Sequence, residues 1–169
     1  MAGKVIGKSM NYGYAGNYAR TPDDIVASRK LKEGQVEFGQ ALVLNSDNTY
    51  SPVSASTTAA QIAGIALRVV KQATSYQDQN TVAYLAGEMA NALERGAATV
   101  VCNAGTPTAG GKVYVRVKAN ASVIGGVVGG FEAQADSTNT IEIPNMRWTN
   151  GYVDANKVSE VTILTRVNP

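Results

Sequence analysis

The 169-residue sequence has no histidine, a single cysteine and few charged side chains. Without histidine it lacks the side chain that ordinarily titrates near neutral pH, the commonest zinc ligand, and the base of serine–histidine and cysteine–histidine nucleophile systems. Cys102 has no second cysteine with which to form an internal disulfide, so packing and hydrogen bonds must stabilise the fold. These absences argue against an enzyme and against a bound metal or other cofactor.

Charge is sparse and nearly balanced. Charged residues make up 17% of the chain, and 15 basic against 13 acidic side chains leave a net charge of +2. A nucleic-acid-binding domain normally carries a marked basic excess, and a membrane-spanning helix needs about 20 apolar residues in a row. We therefore expect neither nucleic acid nor a membrane as partner. The amino terminus has no apolar run long enough for a signal peptide, which predicts synthesis and retention in the cytoplasm.

β-branched residues outnumber leucine, with 20 Val, 14 Thr and 8 Ile against 7 Leu. Such side chains are stiff at χ1 and fit a pleated sheet better than a helix. The segment KVYVRVK, residues 112–118, alternates valines with polar residues, and similar segments recur roughly every ten residues between glycine-rich turns. We therefore predict a mainly β protein: a compact barrel- or sandwich-like single domain with an extended amino-terminal arm.

Residues 1–34 differ in composition from residues 35–169, and we predict an arm followed by a β-rich domain. The arm has too few aliphatic side chains to form a core of its own. A disordered tail and an arm that orders against a partner or a neighbouring subunit both fit this composition. Thr21, followed by proline and two aspartates, predicts the start of a short helix. The candidate contact residues of the arm are Tyr12, Tyr14, Tyr18 and Arg20.

Residues 81–97, TVAYLAGEMANALERGA, fit two kinds of secondary structure. The first part alternates like a strand, whereas the apolar residues from Leu85 onward recur at helical spacing among helix-favouring neighbours. We predict a strand over 81–86 and leave 88–95 open between helix and strand.

An arginine–tryptophan pair stands where a strand gives way to a long turn. The tryptophan either closes one end of the core or anchors an interface, because Trp, Tyr and Arg dominate binding hot spots. On the second interpretation an interface lies near Phe131, Arg147 and Trp148. The carboxylates are scattered, without the spacing of a calcium loop, and we identify no catalytic, cofactor-binding or metal-binding residue.

The order of several segments resembles the structural cement, or head decoration, proteins of tailed bacteriophages. Together these segments span most of the chain from Gly34 onward, while the tyrosine-rich arm and the GGVVGG stretch depart from the family pattern. The segments are EGQVEFGQALVL (33–44), IAGIALR (62–68), TVAYLAGE (81–88), ERGA (94–97), GGKVYV (110–115), GGFEA through IPNMRW (129–148) and EVTILTR (160–166).

The resemblance implies a non-enzymatic virion protein, made in the host bacterial cytoplasm, that binds the outer surface of the phage head. It further implies that the protein stabilises contacts between major capsid subunits, and that it associates with itself, more often as a trimer than as a dimer. The arm residues and the Phe131–Trp148 region would then contact the capsid or a second copy.

Two other classes of protein fit parts of the pattern. A secreted or surface carbohydrate-binding module would also be a β-sandwich with exposed aromatic residues, but it normally brings a signal peptide and several tryptophans, and this sequence has one tryptophan. A hydrolase built on distant carboxylates is the other alternative. Recovery of the protein with virions rather than from culture supernatant would separate these classes.

Overall fold

Antiparallel strands are the main secondary structure of the computed structural model, which describes residues 10–70 and 82–166. Within these residues no helix is long and apolar enough to cross a membrane. Short 3₁₀ turns lie at Ala59–Gln61 and Ser137–Asn139. The strands are β1 (Tyr18–Lys30), β2 (Gln35–Glu37), β3 (Ala41–Leu44), β4 (Tyr50–Pro52), β5 (Ile62–Ala66), β6 (Ala83–Leu85), β7 (Met89–Val101), β8 (Lys112–Arg116), β9 (Phe131–Glu132), β10 (Thr140–Trp148) and β11 (Val158–Ile163).

Nine of these strands form one sheet, in the order β4-β3-β5-β7-β11-β10-β8-β9, with β1 paired to β7 outside this path. The sheet curls into a half-barrel. The other two strands, β2 and β6, form a small separate sheet. The predicted mainly β, barrel-like compact fold is confirmed.

The segment that the sequence left open between helix and strand is the central strand of the sheet. Its first half pairs with β5 at Ala92 and Leu93, its second half pairs with β11 over residues 96–101, and β1 pairs with both halves. Burial on both faces explains the ambiguous pattern, because a strand with two buried faces does not alternate between polar and apolar residues. The expected strand over 81–86 is present as β6, with residue 81 outside the described residues.

Two hydrophobic cores lie on opposite faces of the main sheet. The main core takes side chains from seven of its strands, including Leu93, Val115 and Trp148. The second core lies between the main sheet and the β2–β6 pair, and it contains Tyr84 and Ala92. Alternation along each strand sends neighbouring residues to opposite cores, as Ala92 and Leu93 do.

The short helix predicted after Thr21 is wrong, because these residues belong to β1. Residues 26–30 pair one by one with residues 89–93 of β7, and Ile25 pairs with Arg95, which leaves Glu94 as an extra residue in β7. This tertiary pairing overrides a local capping signal of a few residues. Residues 18–30 of the predicted arm are thus a strand of the main sheet, and residues 1–9 lie outside the described residues.

A bulge at Gly96 fits β1 to β7. Residues 21–24 of β1 bulge outward opposite Gly96, between the pairs Arg20–Ala97 and Ile25–Arg95. Gly96 has a φ of +117°, and a Cβ there would stand 2.3 Å from the Oδ1 atom of Asp24. Only glycine meets both demands, a left-handed backbone and the close approach of β1.

We predict that Gly96→Ala destabilises the protein by about 3 kcal/mol, since it combines backbone strain with overpacking at a strand junction. Gly87→Ala is the matched control. Gly87 also has a positive φ, +92°, but nothing lies within 4 Å of its added Cβ, so the expected loss is about 1 kcal/mol. Urea unfolding of the two variants measures the difference, and equal losses would refute the packing role of Gly96.

Candidate interaction surface

The amino-terminal segment is fastened to the turn that follows β10. The Tyr12 backbone N–H donates to the Asp154 carboxylate at 2.9 Å, and the Asn150 side-chain amide donates to the Tyr12 hydroxyl at 2.7 Å. The Tyr12 ring also packs at 5.7 Å, centroid to centroid, from the ring of Tyr152. Since this segment carries no core residues of its own, these contacts hold its beginning in place.

Next along the chain, the arm adds to the edge of β7. The Gly16 N–H donates to the Thr99 carbonyl at 2.7 Å, and the Thr99 N–H donates to the Asn17 carbonyl at 2.9 Å. The Thr99 hydroxyl also donates to the Tyr14 carbonyl at 2.7 Å. Residues 10–17 therefore contact the protein's own body, so neither a disordered tail nor an arm that needs a partner or a neighbouring subunit to become ordered describes them.

Tyr14 is mostly exposed to solvent, and the guanidinium of Arg68 stacks on one face of its ring. The Arg68 guanidinium carbon lies 4.7 Å from the Tyr14 ring centroid and 5.2 Å from that of Phe38. The Arg68 Nε–H donates to the Ala15 carbonyl at 3.3 Å. Such a cation–π stack fixes the orientation of the tyrosine, which is still 68% exposed.

Arg20 is exposed at its head and anchored on a buried carboxylate. Its guanidinium donates to both oxygens of Glu160, at 2.6 and 3.2 Å. The side chain of Glu160 is 3% exposed, whereas that of Arg20 is 65% exposed. Nearby, Tyr18 is 51% exposed. We call Tyr12, Tyr14, Tyr18 and Arg20 the arm surface: three tyrosine rings and one guanidinium, of which Tyr12, Tyr14 and Arg20 make the side-chain contacts to the body described above.

The structure separates the other predicted interface residues from this surface. Phe131 and Trp148 are 0% exposed and lie in the main core. Arg147 is half-buried, and it donates to the carbonyls of Pro144 and Met146 at 3.0 and 2.7 Å. Of the two interpretations of Trp148, closure of the core is therefore the one that the structure supports. The interface role stays a prediction that gains no support from these two enclosed rings.

A buried carboxylate that the sequence analysis missed binds two arginines. Glu94, 6% exposed, accepts from Arg29 at 2.8 Å and from two nitrogens of Arg166 at 3.0 and 2.5 Å. The Tyr50 hydroxyl lies 3.4 Å from the same carboxylate. Burial alone would raise the pKa of Glu94, but the hydrogen bonds from the arginines outweigh burial and hold that pKa below its ordinary value.

A second buried ionic cluster lies under the glycine-rich loop of residues 119–130. Arg116, 0% exposed, makes a bidentate pair with Glu132 at 2.5 and 2.9 Å and a third bond to Asp136 at 2.8 Å. A Cβ on Gly126 would stand 2.7 Å from the Arg116 Nε atom. The GGVVGG stretch therefore lets the loop lie directly on the guanidinium.

Nothing in the described part of the chain brings reactive groups together. No group of three or more His, Cys, Asp or Glu residues is placed to hold a metal ion within residues 10–70 and 82–166. Burial raises the pKa of the Cys102 thiol, which disfavours the reactive thiolate. The ionic clusters described above pair acids with arginines, an arrangement that serves structure and binding.

The comparisons with known proteins point to a viral capsid. The family model described as XM1 gp53 minor capsid protein matches residues 3–163. A chain of the solved structure "The capsid of Myoviridae Phage XM1" superposes with a TM-score of 0.71 at 18% identity, and the match covers 99% of this chain and 100% of that chain. No curated protein matches the sequence. The structural likeness shows a shared fold, and the family match covers nearly the whole chain.

We predict that Glu94→Gln lowers stability at pH 7 by about 2 kcal/mol, because it removes a buried charge-assisted network. The folded-state pKa lies below the ordinary value of 4.5. The contribution of Glu94 is therefore present above that value and is lost as the pH falls through the folded pKa. Urea unfolding of wild type and Glu94→Gln should show a difference in unfolding free energy that is smaller at pH 3 than at pH 7.

The exposed Glu33, substituted by glutamine, serves as the control and should change stability by no more than about 0.5 kcal/mol. A gap between wild type and Glu94→Gln that stays constant from pH 7 to pH 3 would contradict the ionised state of Glu94.

Proposed function

The chain belongs to the XM1 gp53 minor capsid protein family, and from that premise we propose that it is a cement, or decoration, protein of the phage head. In this proposal it binds the outer surface of the capsid, contacts the major capsid protein through the arm surface, and reinforces the junctions between capsid subunits. The observation that carries the proposal is the exposure of Tyr14, Tyr18 and Arg20 on a firmly anchored segment.

The arm surface has the chemistry of a protein-binding site. Tyrosine and arginine combine apolar area with hydrogen-bonding groups, and both are enriched among the residues that dominate interfaces. The stack on Arg68 and the pair with Glu160 hold two of these side chains before a partner arrives. Binding therefore loses little side-chain entropy, a frequent cost of association.

A role without catalysis fits the chemistry of the chain. The sequence has no histidine, and its thiol is buried. The carbohydrate-binding alternative is disfavoured because its best stacking residue, Trp148, is enclosed in the core.

Self-association, as a trimer rather than a dimer, remains part of the proposal. The strand pairing supports self-association in general: within the described residues β1 pairs with β7 alone, so its second edge offers backbone groups to a partner strand. The preference for a trimer comes from the resemblance described above. Light scattering of the free protein tests this point.

We predict that the double variant Tyr14→Ala and Tyr18→Ala binds undecorated capsids about 30-fold or more weakly than wild type, since two exposed aromatic contacts are removed. Neither ring belongs to a core cluster, so the melting temperature should change little. Arg20 is left intact because its removal would leave the buried Glu160 carboxylate without its ion-pair partner. Co-sedimentation of labelled protein with capsids measures the affinity.

Ile124→Ala is the control, because Ile124 is 93% exposed and lies outside the arm surface. It removes a comparable apolar side chain and should bind capsids within about twofold of wild type. Wild-type affinity in the folded double variant would refute the arm surface as the contact. Failure of the wild-type protein to bind capsids at all would refute the decoration role.

A further inference from the structure

A cleft lies beside the Glu94 network, between β1, β3, β5 and the residues after β11. Its charged side chains are Arg29, Glu94 and Arg166, and its other wall is apolar except for Gln61. Apart from those three, it is lined by Leu44, Ala60, Gln61, Ile62 and Ala63. None of the arm-surface residues lines it.

The cleft carries an excess of positive charge. Two guanidiniums face one carboxylate, and Glu94 is ionised near neutral pH because the arginines hold its pKa down. Tyr50 adds no charge, since burial raises the pKa of its hydroxyl to about 12. Among the residues that the structure describes, two positive groups against one negative group leave one cation uncompensated in a partly enclosed site, where charge is screened less than on an open surface.

Both guanidiniums are fixed before any ligand arrives. Arg29 donates to the Asn48 side chain at 2.7 Å and to Glu94 at 2.8 Å, and it lies 5.1 Å from the centroid of the Tyr50 ring. Arg166 uses two nitrogens on Glu94 and leaves its side chain 53% exposed. A guanidinium held in this way matches the planar geometry of a carboxylate.

The cleft and the arm surface open on the same face of the main sheet. Leu93 and Val161 point into the main core, so their neighbours Glu94 and Glu160 lie on the opposite face. Glu160 pairs with Thr99, five positions along β7 from Glu94, which corresponds to about 16 Å at the rise of a β-strand. A partner that covers the arm surface can therefore reach the cleft within one interface of ordinary size.

We propose that this cleft binds a carboxylate side chain of the major capsid protein, with an apolar neighbour of that side chain packed against Leu44. This inference rests on the proposed function and adds to it a second contact of defined chemistry. The uncompensated cation selects an acidic group, and the half-exposed Leu44 with the alanine-rich wall accepts apolar surface.

Arg166→Gln tests the proposal, because it removes the excess charge while Arg29 remains paired with Glu94. We expect about tenfold weaker capsid binding and a smaller dependence of affinity on salt. Arg166→Lys keeps the charge but loses the planar guanidinium. Its affinity for capsids should therefore lie between those of wild type and Arg166→Gln. Lys112→Gln is the control: it removes one exposed positive charge, paired with Glu142 on another part of the sheet, and should leave affinity within about twofold.

A second pair of variants leaves the arginine network untouched. Leu44→Glu places a negative charge at the wall of the cleft and should weaken capsid binding more than Leu44→Gln does, because it repels the incoming carboxylate. Urea unfolding of all variants separates lost binding from lost folding. Equal affinities for Leu44→Glu and Leu44→Gln, or wild-type affinity and salt dependence for Arg166→Gln, would overturn the proposal.

The outcomes also separate this inference from the decoration role. If wild-type protein binds capsids and the tyrosine double variant does not, but the cleft variants bind normally, then only the cleft inference fails. If Arg166→Gln changes the self-association measured by light scattering without changing capsid affinity, the occupant is a second copy and the proposal is wrong. If no form of the protein binds capsids, the decoration role itself fails.

Discussion

The pairing of β7 with three other strands is the constraint on which the rest of the molecule depends. β7 contributes to both cores and joins the β3–β5 part of the sheet to the β10–β11 part. Glycines make this junction sterically feasible: a Cβ on Gly64 would stand 1.9 Å from the Leu93 carbonyl oxygen, and one on Gly96 would meet β1. Because the strands approach this closely, β5 needs glycine at position 64 and β7 needs glycine at position 96, where any side chain would clash.

A bulge in β7 at Glu94, where the pairing with β1 passes from Leu93 to Arg95, also decides where the charged neighbours of β7 lie. Leu93 and Ala98 both enter the main core although they are an odd number of residues apart, so the alternation shifts once between them. The shift keeps Glu94 and Thr99 on the face opposite the main core, where Thr99 pairs with Glu160. Each of the two buried carboxylates on that face pairs with an arginine whose side chain is more than half exposed: Glu160 with Arg20 and Glu94 with Arg166. Arg20 and Arg166 therefore neutralise buried carboxylates and at the same time remain accessible to a partner.

The sequence predicts regular features of this protein well and long-range features poorly. The alternation of KVYVRVK, residues 112–118, was sufficient to predict β8 and its valines in the main core, but it wrongly places Arg116 in solvent, because the pair with Glu132 lets that side chain be fully buried. By contrast, the residues after Thr21 resemble the start of a helix when taken alone, but in the fold they belong to β1 because β1 pairs with β7. Glu94 lies 65 and 72 positions from its arginine partners. No local pattern marks a site assembled across such separations, and buried and exposed aromatic residues look alike in sequence.

The order already present in the arm bears on how tightly such a protein can bind. Fixing a residue's backbone costs roughly 1–2 kcal/mol, so eight disordered residues would oppose binding by about 10 kcal/mol. Residues 10–17 are instead held by hydrogen bonds to Asp154, Asn150 and Thr99. That cost is met during folding by contacts within the chain, and the parts of Tyr14 and Tyr18 that are still exposed remain available for a partner to bury.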